Sequence, residues 1–265
     1  MNSFKEILEK LKTGKISISD AEKYIKGLYI EKIDEIASFD IYREFRTGFP
    51  EVIYAENKQI EDIIKICKKL IDIKGQIILS RLSNEKFIIL KDELESIFTN
   101  NIKISYNEIA KIANIKRINI KSIKLDGKVG IITAGTSDIY IAEEAKMMIE
   151  IMGGKAITAY DIGISGFHRI FPPLKSMIEN EIHIIIVVAG MEGTLPSVVA
   201  SLIDVPVIGV PAPTGYGLGE KGIGALTTML QSCAPGLVVV NIGNGFGAAV
   251  AAILFLQRIQ KYKNK

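Results

Sequence analysis

The second half of the sequence alternates five times between a short apolar run and a helical pattern, and this alternation constrains the fold more than any other feature. Strands that each lead into a helix form a parallel sheet with right-handed crossovers and helices on both faces. We therefore predict an α/β fold. The predicted strands are Lys128–Thr133, Lys155–Tyr160, His183–Ala189, Val205–Val210 and Leu237–Ile242, and the helices after them are Asp138–Met152, Phe167–Asn180, Leu195–Leu202, Gly222–Ser232 and Phe246–Gln260.

Charge and glycine content change near residue 125. Residues 1–125 hold 23 of the 33 basic and 19 of the 30 acidic residues but four of the 23 glycines. Low charge and many glycines suit buried parallel strands with tight turns. We predict a smaller α+β N-terminal domain over residues 1–125 and an α/β catalytic domain over residues 126–265. The elements predicted in the first domain are helices Phe4–Lys12, Ser19–Ile36 and Gln59–Ile73 and strands Val52–Tyr54, Gln76–Leu79 and Phe87–Leu90.

Composition limits the location and partners of the protein. A net charge of +3 gives no reason to expect nucleic acid or an acidic membrane surface as a partner. Two cysteines are too few for a disulfide framework, and the charged start lacks the apolar core of a signal peptide. The uncharged stretch from Gly222 to Gln257 is cut by turn residues into pieces too short to cross a bilayer. We expect a cytoplasmic protein with no membrane partner.

The last predicted helix is apolar almost all round, from Ala248 to Leu256. A helix without a polar face is not stable on the surface of a monomer. We therefore expect a homo-oligomer in which this helix lies at a subunit interface.

The candidate site lies where the predicted strands end. Ligands of open parallel α/β sheets bind beyond the carboxyl ends of the strands, and each of the five loops there combines glycine with a polar or ionisable residue. The candidate site residues in these loops are Gly135, Thr136, Ser137, Asp138, Asp161, His168, Arg169, Gly190, Met191, Glu192, Gly193, Tyr216 and Asn244.

The first loop, Gly135–Asp138, points backbone N–H groups and a helix N-terminus at one place, which suits a phosphate. Simple capping of the helix by Ser137 or Asp138 is the alternative. The loop is neither a Walker A motif nor the GxGxxG fingerprint, which disfavours a kinase and an ordinary nicotinamide dehydrogenase.

Four other residues bear ionisable groups, and each of them has two interpretations. His168 and Arg169 form an acid–base or anion-binding pair, or a structural cap. Glu192 lies between glycines, where a catalytic or ligand contact is favoured over a structural role. Cys233 is either a buried small residue or a nucleophile, and it follows a helix C-terminus, where the helix dipole disfavours a thiolate.

Two more features are interpreted as structural. Cys67, on the apolar face of its helix, and His183, at the start of a strand, are both expected to serve packing. In the N-terminal half, Arg43 and Arg46 could hold an anionic ligand, although pairing with Glu44 and Glu51 is the favoured interpretation.

The residues of these loops carry a family resemblance. Gly127 to Gly247 resembles PurE, the aminoimidazole ribonucleotide carboxylase/mutase family, with a flavodoxin-type sheet. The whole chain resembles the LarB family of nickel-pincer nucleotide cofactor biosynthesis, which serves lactate racemase maturation. The matching blocks are Arg46–Glu51, Ala134–Asp138, Gly190–Gly193, Gly215–Gly217, Ser232–Ala234 and Asn244–Gly247. Gly243 departs from the LarB pattern, which has Asp there, so a carboxylate contact is absent or supplied elsewhere.

The LarB resemblance implies carboxylation of nicotinic acid adenine dinucleotide, or a similar NAD-like dinucleotide, at C5 of its pyridinium ring. Hydrolysis of the phosphoanhydride then gives pyridinium-3,5-dicarboxylate mononucleotide and AMP. The nucleophile of the family corresponds to Cys233, which adds to C4. We expect Glu192 to remove the C5 proton, Ser137 and Asp138 to hold ribose or phosphate, and Arg169 to bind the diphosphate or the carboxylate.

The expected co-substrate and metal follow from the implied reaction, and the expected assembly follows from the order of the elements. The co-substrate is CO₂ or bicarbonate without biotin, Mg²⁺ is the candidate metal with unassigned ligands, and an octamer is among the assemblies considered. Cys233 precedes the fifth strand, at the edge of the sheet away from the loops, so we favour an active site shared between subunits. The alternatives are a PurE-type enzyme acting on aminoimidazole ribonucleotide and a non-catalytic nucleotide-binding module.

Overall fold

The computed structural model describes residues 4–26, 30–33, 37–120 and 124–263. The chain divides into two compact units, Met1–Lys121 and Ser122–Lys265, close to the predicted domain boundary. Each unit has its own sheet and its own buried cluster of aliphatic side chains. Within the described ranges, no helix combines the length and the apolar character that crossing a bilayer requires.

The N-terminal unit is α+β, and its core lies between helices and a four-stranded sheet of order β3-β4-β6-β5. Strand β3 pairs with β4 in parallel, and the other pairs are antiparallel. A separate antiparallel pair is formed by β1 and β2. The elements are α1 Phe4–Lys12, α2 Ile18–Lys26, β1 Glu31–Ile33, β2 Ala37–Phe39, α3 Arg43–Thr47, β3 Ile53–Tyr54, α4 Ile60–Lys74, β4 Gln76–Ser80, α5 Asn84–Phe98, β5 Ile102–Asn107 and β6 Ile112–Arg117.

Two predicted elements of this unit are wrong. The helix predicted over Ser19–Ile36 ends at Lys26, and Glu31–Ile33 pairs with β2 instead, while residues 27–29 and 34–36 lie outside the described residues. The strand predicted at Phe87–Leu90 lies inside helix α5, because Ser83 caps that helix by accepting a hydrogen bond from the Lys86 backbone N–H. Of that apolar run only Leu90 is buried, together with Leu94 one turn later, whereas Ile88 and Ile89 are about half exposed.

The C-terminal unit confirms the predicted fold class, with five parallel strands in the order β11-β10-β9-β7-β8. Helices α6 and α10 pack against each other, while α7, α8 and α9 share a buried cluster with β9. The elements are β7 Lys128–Thr133, α6 Ile139–Ile151, β8 Lys155–Ala159, α7 Phe171–Glu179, β9 Ile184–Ala189, α8 Leu195–Ala200, β10 Val207–Pro211, α9 Ile223–Leu230, β11 Leu237–Val239 and α10 Gly245–Lys263.

The direction of chain progression across the sheet reverses between β7 and β9, which are hydrogen-bonded neighbours. Flavodoxin-type sheets bind ligands in the crevice at such a reversal, beyond the carboxyl ends of the strands. The loops after β7 and β9 therefore border the crevice in which a ligand is expected.

Helix α10 is held to α6 at its first turn. The Phe246 backbone N–H donates to Glu144 Oε2 over 3.1 Å, and Gly245 fits beneath the Ile141 carbonyl, where a Cβ atom would overlap it. One face of α10 is buried, whereas the Phe255 side chain is 49% exposed. The subunit interface expected at this helix stays a prediction.

Candidate functional site

The carboxyl edge of the parallel sheet gathers most of the predicted site residues. The loops after β7, β8, β9, β10 and β11 all begin at this edge because the five strands are parallel. These loops contain every predicted site residue except Cys233.

Asp138 is the most deeply buried ionisable residue of these loops, with 2% of its surface exposed. Its Oδ2 accepts a hydrogen bond from the Gly135 backbone N–H over 3.0 Å, and its Oδ1 accepts one from Thr214 Oγ1 over 2.8 Å. The Gly190 backbone N–H is a further, weaker donor toward the carboxylate. Burial raises the pKa of Asp138, and these three hydrogen bonds oppose that rise. The carboxylate therefore faces protein donors from three different loops.

Glu192 lies on a loop with a tightly fixed backbone. Met191 adopts a left-handed φ of 52°, and its N–H donates to the Thr214 carbonyl oxygen over 2.9 Å. Gly193 has a φ of 68°, and a Cβ atom there would lie 2.6 Å from Ala225 Cα. The Glu192 side chain itself is exposed beyond the end of β9. The loop thus presents a solvent-facing carboxylate from a constrained backbone.

The second loop folds around the Arg169 guanidinium. Arg169 Nη1 donates to the Asp161 carbonyl oxygen over 2.9 Å and lies 3.2 Å from Asp161 Oδ2. Asp161 adopts a φ of 57°, and its N–H donates to Thr133 Oγ1 at the end of β7. A Cβ atom on Gly166 would overlap the guanidinium. His168 is exposed next to this pair.

Asn244 forms the start of α10. Its Oδ1 accepts a hydrogen bond from the Gly247 backbone N–H over 2.7 Å, so it acts as a helix cap. Gly243, which precedes it, has a φ of 65°, a conformation that favours glycine over the Asp of the family pattern. The Asn244 side chain is thus engaged in capping α10 at the carboxyl edge of the sheet.

Cys233 does not meet these loops within its own protomer. It follows α9 and precedes β11, so it lies toward the amino edge of the sheet, opposite the loops. The neighbouring strand β10 has five residues, which at roughly 3.3 Å per residue span about 16 Å. The Cys233 side chain is exposed, whereas Cys67 is fully buried in the N-terminal core and burial raises its pKa.

Thr214 is the main site residue that the sequence analysis did not select. It bonds to the first loop through its hydroxyl and to the third through its carbonyl oxygen. Its position in the glycine-rich fourth loop was the available signal, but a lone threonine there also suits an ordinary turn.

His183, Arg46 and the expected metal site lie outside the loops described above or have no assigned ligands. The His183 ring accepts a hydrogen bond from the Lys128 N–H through Nδ1. Arg46 pairs with Asp40 in the N-terminal unit. In the described part of the chain, no group of three or more His, Cys, Asp or Glu side chains is placed to hold a metal ion. The expectation of Mg²⁺ stays a prediction.

Comparisons with known proteins match both units. A family model described as the LarB/PurE-like N-terminal domain matches residues 30–117, and the AIR carboxylase model matches residues 128–264. The chain is 51% identical over 260 residues to the uncharacterized protein MJ0165 of Methanocaldococcus jannaschii, covering 98% of this chain and 99% of that protein.

Other relatives are N5-carboxyaminoimidazole ribonucleotide mutases. That of Thermotoga maritima is 30% identical over 148 residues, covering 52% of this chain and 84% of the mutase. That of Pyrococcus horikoshii is 34% identical over 129 residues, covering 47% of this chain and 63% of the mutase. With an AIR carboxylase domain after a LarB-type N-terminal domain, the chain belongs to the LarB family and has a PurE-like C-terminal domain.

Proposed function

We propose that the protein is a carboxylase that adds CO₂ to C5 of the pyridinium ring of nicotinic acid adenine dinucleotide and hydrolyses the phosphoanhydride. The products would be pyridinium-3,5-dicarboxylate mononucleotide and AMP. The observation that carries the proposal is the combination, in one chain, of a LarB-type N-terminal domain and an AIR carboxylase domain.

The first and second loops would bind the phosphates of the dinucleotide. Thr136 and Ser137 are exposed at the start of α6, a thirteen-residue helix whose N-terminus attracts anions. Arg169 is held at the same edge of the sheet by Asp161, so its guanidinium is oriented before a ligand arrives. Phosphoanhydride hydrolysis requires a water molecule and neutralisation of the negative charge of the phosphates. Arg169 and the N-terminus of α6 would supply part of the positive charge.

The Cys233 thiolate would make the ring reactive toward CO₂. A pyridinium C5 is electron-poor, but addition of the thiolate to C4 gives a 1,4-dihydropyridine in which C5 is an enamine carbon. The C5 electron pair then forms the new bond to CO₂. Loss of the C5 proton to a base and expulsion of the thiolate restore the aromatic ring, without any net oxidation.

Glu192 would act as the base that removes the C5 proton. Its carboxylate is exposed on the loop after β9, beside the crevice where ligands bind in this type of sheet. His168 is a second acid–base group at the same edge, on the loop after β8. The fixed backbone of the third loop limits how far the Glu192 carboxylate can move from the crevice.

The thiol and the base would meet across a subunit interface. Within one protomer Cys233 lies toward the opposite edge of the sheet from Glu192. Helix α9, which leads to Cys233, exposes Ile223 (54%) and Leu230 (66%) on one face, and Leu218 before it is fully exposed. Burial of this apolar face against a second copy of the chain would place Cys233 at the subunit interface, where it could reach the site of the second copy.

Product analysis of the full-length protein tests the proposal. We expect incubation with nicotinic acid adenine dinucleotide and ¹³C-bicarbonate to give AMP and a labelled dicarboxylated mononucleotide. Cys233→Ser should lower carboxylation by at least about 1,000-fold while dinucleotide binding persists. Cys67→Ala removes the other thiol and should leave the product pattern unchanged. Undiminished carboxylation by Cys233→Ser would exclude the covalent step.

The second candidate function is a PurE-type transfer of CO₂ on aminoimidazole ribonucleotide. It is favoured by the mutase relatives, which are 30–34% identical to this chain. Turnover of the imidazole substrate without turnover of the dinucleotide would support this candidate. Tight binding of the dinucleotide without any product would support the non-catalytic nucleotide-binding module.

A further inference from the structure

The fourth loop carries an exposed aromatic side chain at the carboxyl edge of the sheet. Tyr216 has 81% of its surface exposed, although the backbone just before it is held in place. The Thr214 carbonyl oxygen accepts the Met191 N–H over 2.9 Å, and a Cβ atom on Gly215 would lie 3.6 Å from the Met191 nitrogen. Tyr216 therefore starts beside the third loop, where Met191 immediately precedes Glu192. An aromatic side chain and the exposed Glu192 carboxylate thus share one end of the sheet.

A second apolar side chain is exposed at the same place. Met191 is 45% exposed, and its Sδ would lie 3.9 Å from a Cβ atom on Gly215. Single exposed apolar residues are ordinary on a protein surface, but Met191 and Tyr216 belong to adjoining loops at the edge where ligands of such sheets bind. A flat ligand that covers both side chains would remove apolar surface from water. The two residues therefore favour a planar ring as the ligand at this place.

The tyrosine can swing onto such a ring. Gly215 and Gly217 flank Tyr216 with φ of 149° and 77°, and a Cβ atom on Gly217 would meet nothing within 4 Å. Glycine tolerates a wide range of backbone angles, so rotation at these two positions moves the Tyr216 side chain without moving Thr214. Because most of the surface of Tyr216 is exposed, it has few contacts to lose. Closure over a ligand therefore costs little.

We propose that Tyr216 recognises the positive charge of the pyridinium ring by stacking on one face of that ring. The face of a tyrosine ring attracts a cation, and the attraction is strongest where water is excluded. The other face of the pyridinium stays open, so the Cys233 thiolate adds to C4 from the side away from Tyr216. The identity of the ring rests on the proposed function. Tyr216 then distinguishes a cationic ring from a neutral one.

The contact acts on binding and not on the bond-forming steps. Addition of the thiolate to C4 moves an electron pair onto the ring nitrogen, so the ring loses its positive charge and is no longer flat at C4. The attraction to Tyr216 is therefore weaker in the adduct than in the bound substrate. Removal of an interaction that is strongest in the ground state raises KM and does not lower kcat. Tyr216 is accordingly a specificity residue for the ring.

Calorimetric titration with the oxidised and the reduced dinucleotide tests the recognition of charge. Nicotinic acid adenine dinucleotide carries the pyridinium cation, and its 1,4-dihydro form carries a neutral ring with the same phosphates and adenosine. The buffer is freed of CO₂ and bicarbonate, so carboxylation does not consume the ligand. We expect the ratio of the two affinities, oxidised over reduced, to fall roughly 3- to 30-fold in Tyr216→Leu. The ratio should stay within about 2-fold of the wild type in Tyr216→Phe, which keeps the aromatic face.

A matched control makes the same change far from the fourth loop in the sequence. Tyr262→Leu replaces a tyrosine that is 68% exposed near the end of α10, and its affinity ratio should match the wild type. An unchanged ratio in Tyr216→Leu would overturn the proposal. If the affinities for both forms fell together, Tyr216 would contact the adenosine half. If the subunits separated in sedimentation at an unchanged ratio, Tyr216 would be an interface residue.

Steady-state kinetics on the dinucleotide give a second readout. Tyr216→Leu should raise KM roughly 3- to 30-fold and leave kcat at or above the wild-type value. Tyr216→Phe should match the wild type in both constants. A fall in kcat at unchanged KM would overturn the proposal, because it would place the contribution of Tyr216 in the bond-forming steps.

The two experiments separate failure of this inference from failure of the proposed function. If the wild-type protein prefers the oxidised form through Tyr216 but forms no carboxylated product, the proposed function fails and the recognition of the cation stands. If carboxylation proceeds while the affinity ratio is the same in Tyr216→Leu and the wild type, the recognition fails and the proposed function stands. Binding of neither form would overturn both.

Discussion

Gly190 and Thr214 approach each other so closely that no side chain fits between them. A Cβ atom on Gly190 would overlap Thr214 Oγ1 and lie 2.6 Å from the Thr214 carbonyl oxygen. Because Thr214 also bonds to Asp138 and Met191, it cannot withdraw without losing those hydrogen bonds. The close approach of the third and fourth loops therefore depends on a glycine at position 190.

Gly190→Ala should disturb the site more than the addition of a single methyl group suggests. Overpacking of this kind costs about 1–3 kcal/mol. We therefore expect the unfolding free energy to fall by that amount and the dinucleotide to bind more weakly. Gly14→Ala is the control, because a Cβ atom there meets nothing within 4 Å and only the left-handed φ of 71° is strained. Denaturant unfolding and calorimetric binding measure the two effects. Wild-type affinity in Gly190→Ala would show that the loops can separate freely.

Two inactive variants should restore activity when they are mixed. Cys233→Ser keeps Glu192, and Glu192→Gln keeps Cys233, so a mixed pair of subunits contains one intact site if the site is shared. In an equal mixture half of the pairs are mixed and one of their two sites is intact, which predicts about a quarter of the wild-type activity. The measurement is carboxylation after joint refolding of the two variants. No recovery in verified mixed assemblies would place both residues in the site of one protomer.

The two cysteines should differ strongly in reactivity. Cys233 is exposed, whereas Cys67 is fully buried and burial raises its pKa. We expect iodoacetamide to modify Cys233 at least about 100-fold faster, because Cys67 requires an opening of the core that costs several kcal/mol. Peptide mass mapping after timed labelling measures both rates. Equal rates in the folded protein would contradict the buried position of Cys67.

The stability of the protein should depend on pH through Lys74. Its Nζ is buried with no hydrogen-bond partner in the described chain, and it lies 5.9 Å from the centre of the Phe39 ring. Burial lowers the pKa of Lys74, while the nearby Glu44, Glu51 and Asp40 partly offset that effect. Between this lowered pKa and the ordinary value of 10.5, the unfolded chain binds more protons, so this group makes the unfolding free energy rise with pH.

Lys74→Met should remove this contribution and raise the unfolding free energy at neutral pH by about 1 kcal/mol, since an unmet buried donor costs about 1–3 kcal/mol. Lys65→Met makes the same change at an exposed position of α4 and should stay within about 0.5 kcal/mol of the wild type. Urea unfolding at pH 7 and pH 9.5 compares the variants. The prediction fails if the stability difference between Lys74→Met and the wild type is the same at both pH values.

The elements of the C-terminal unit were more predictable from the sequence than those of the N-terminal unit. Its strands are short continuous apolar runs between glycine-rich turns, and Lys128–Thr133 was predicted to the residue. In the N-terminal unit the run Phe87–Leu90 resembles a strand over four residues, and its helical period becomes visible only with Leu94. The hairpin of β5 and β6 was not predicted, although Ile102, Ile104 and Tyr106 alternate with polar residues along β5, so the strand signal was present in the sequence.

The site was predictable as a set of loops but not as a set of contacts. The carboxyl ends of parallel strands must share one edge, so Glu192, Asp161 and Asn244 could be assigned to that edge from the sequence. The buried Asp138 carboxylate accepts a hydrogen bond from Thr214, which lies 76 residues away along the chain. No local sequence pattern identifies that partner.

The position of Cys233 at the far edge of the sheet has a consequence for how the chemistry would begin. A single chain carries the loops and the thiol on opposite ends of strands that no loop movement can shorten. A newly synthesised copy would thus remain inert until it meets another, and at high dilution the turnover per molecule would fall with concentration. Such a protein would bring its sulfur to a bound dinucleotide only once assembly is complete.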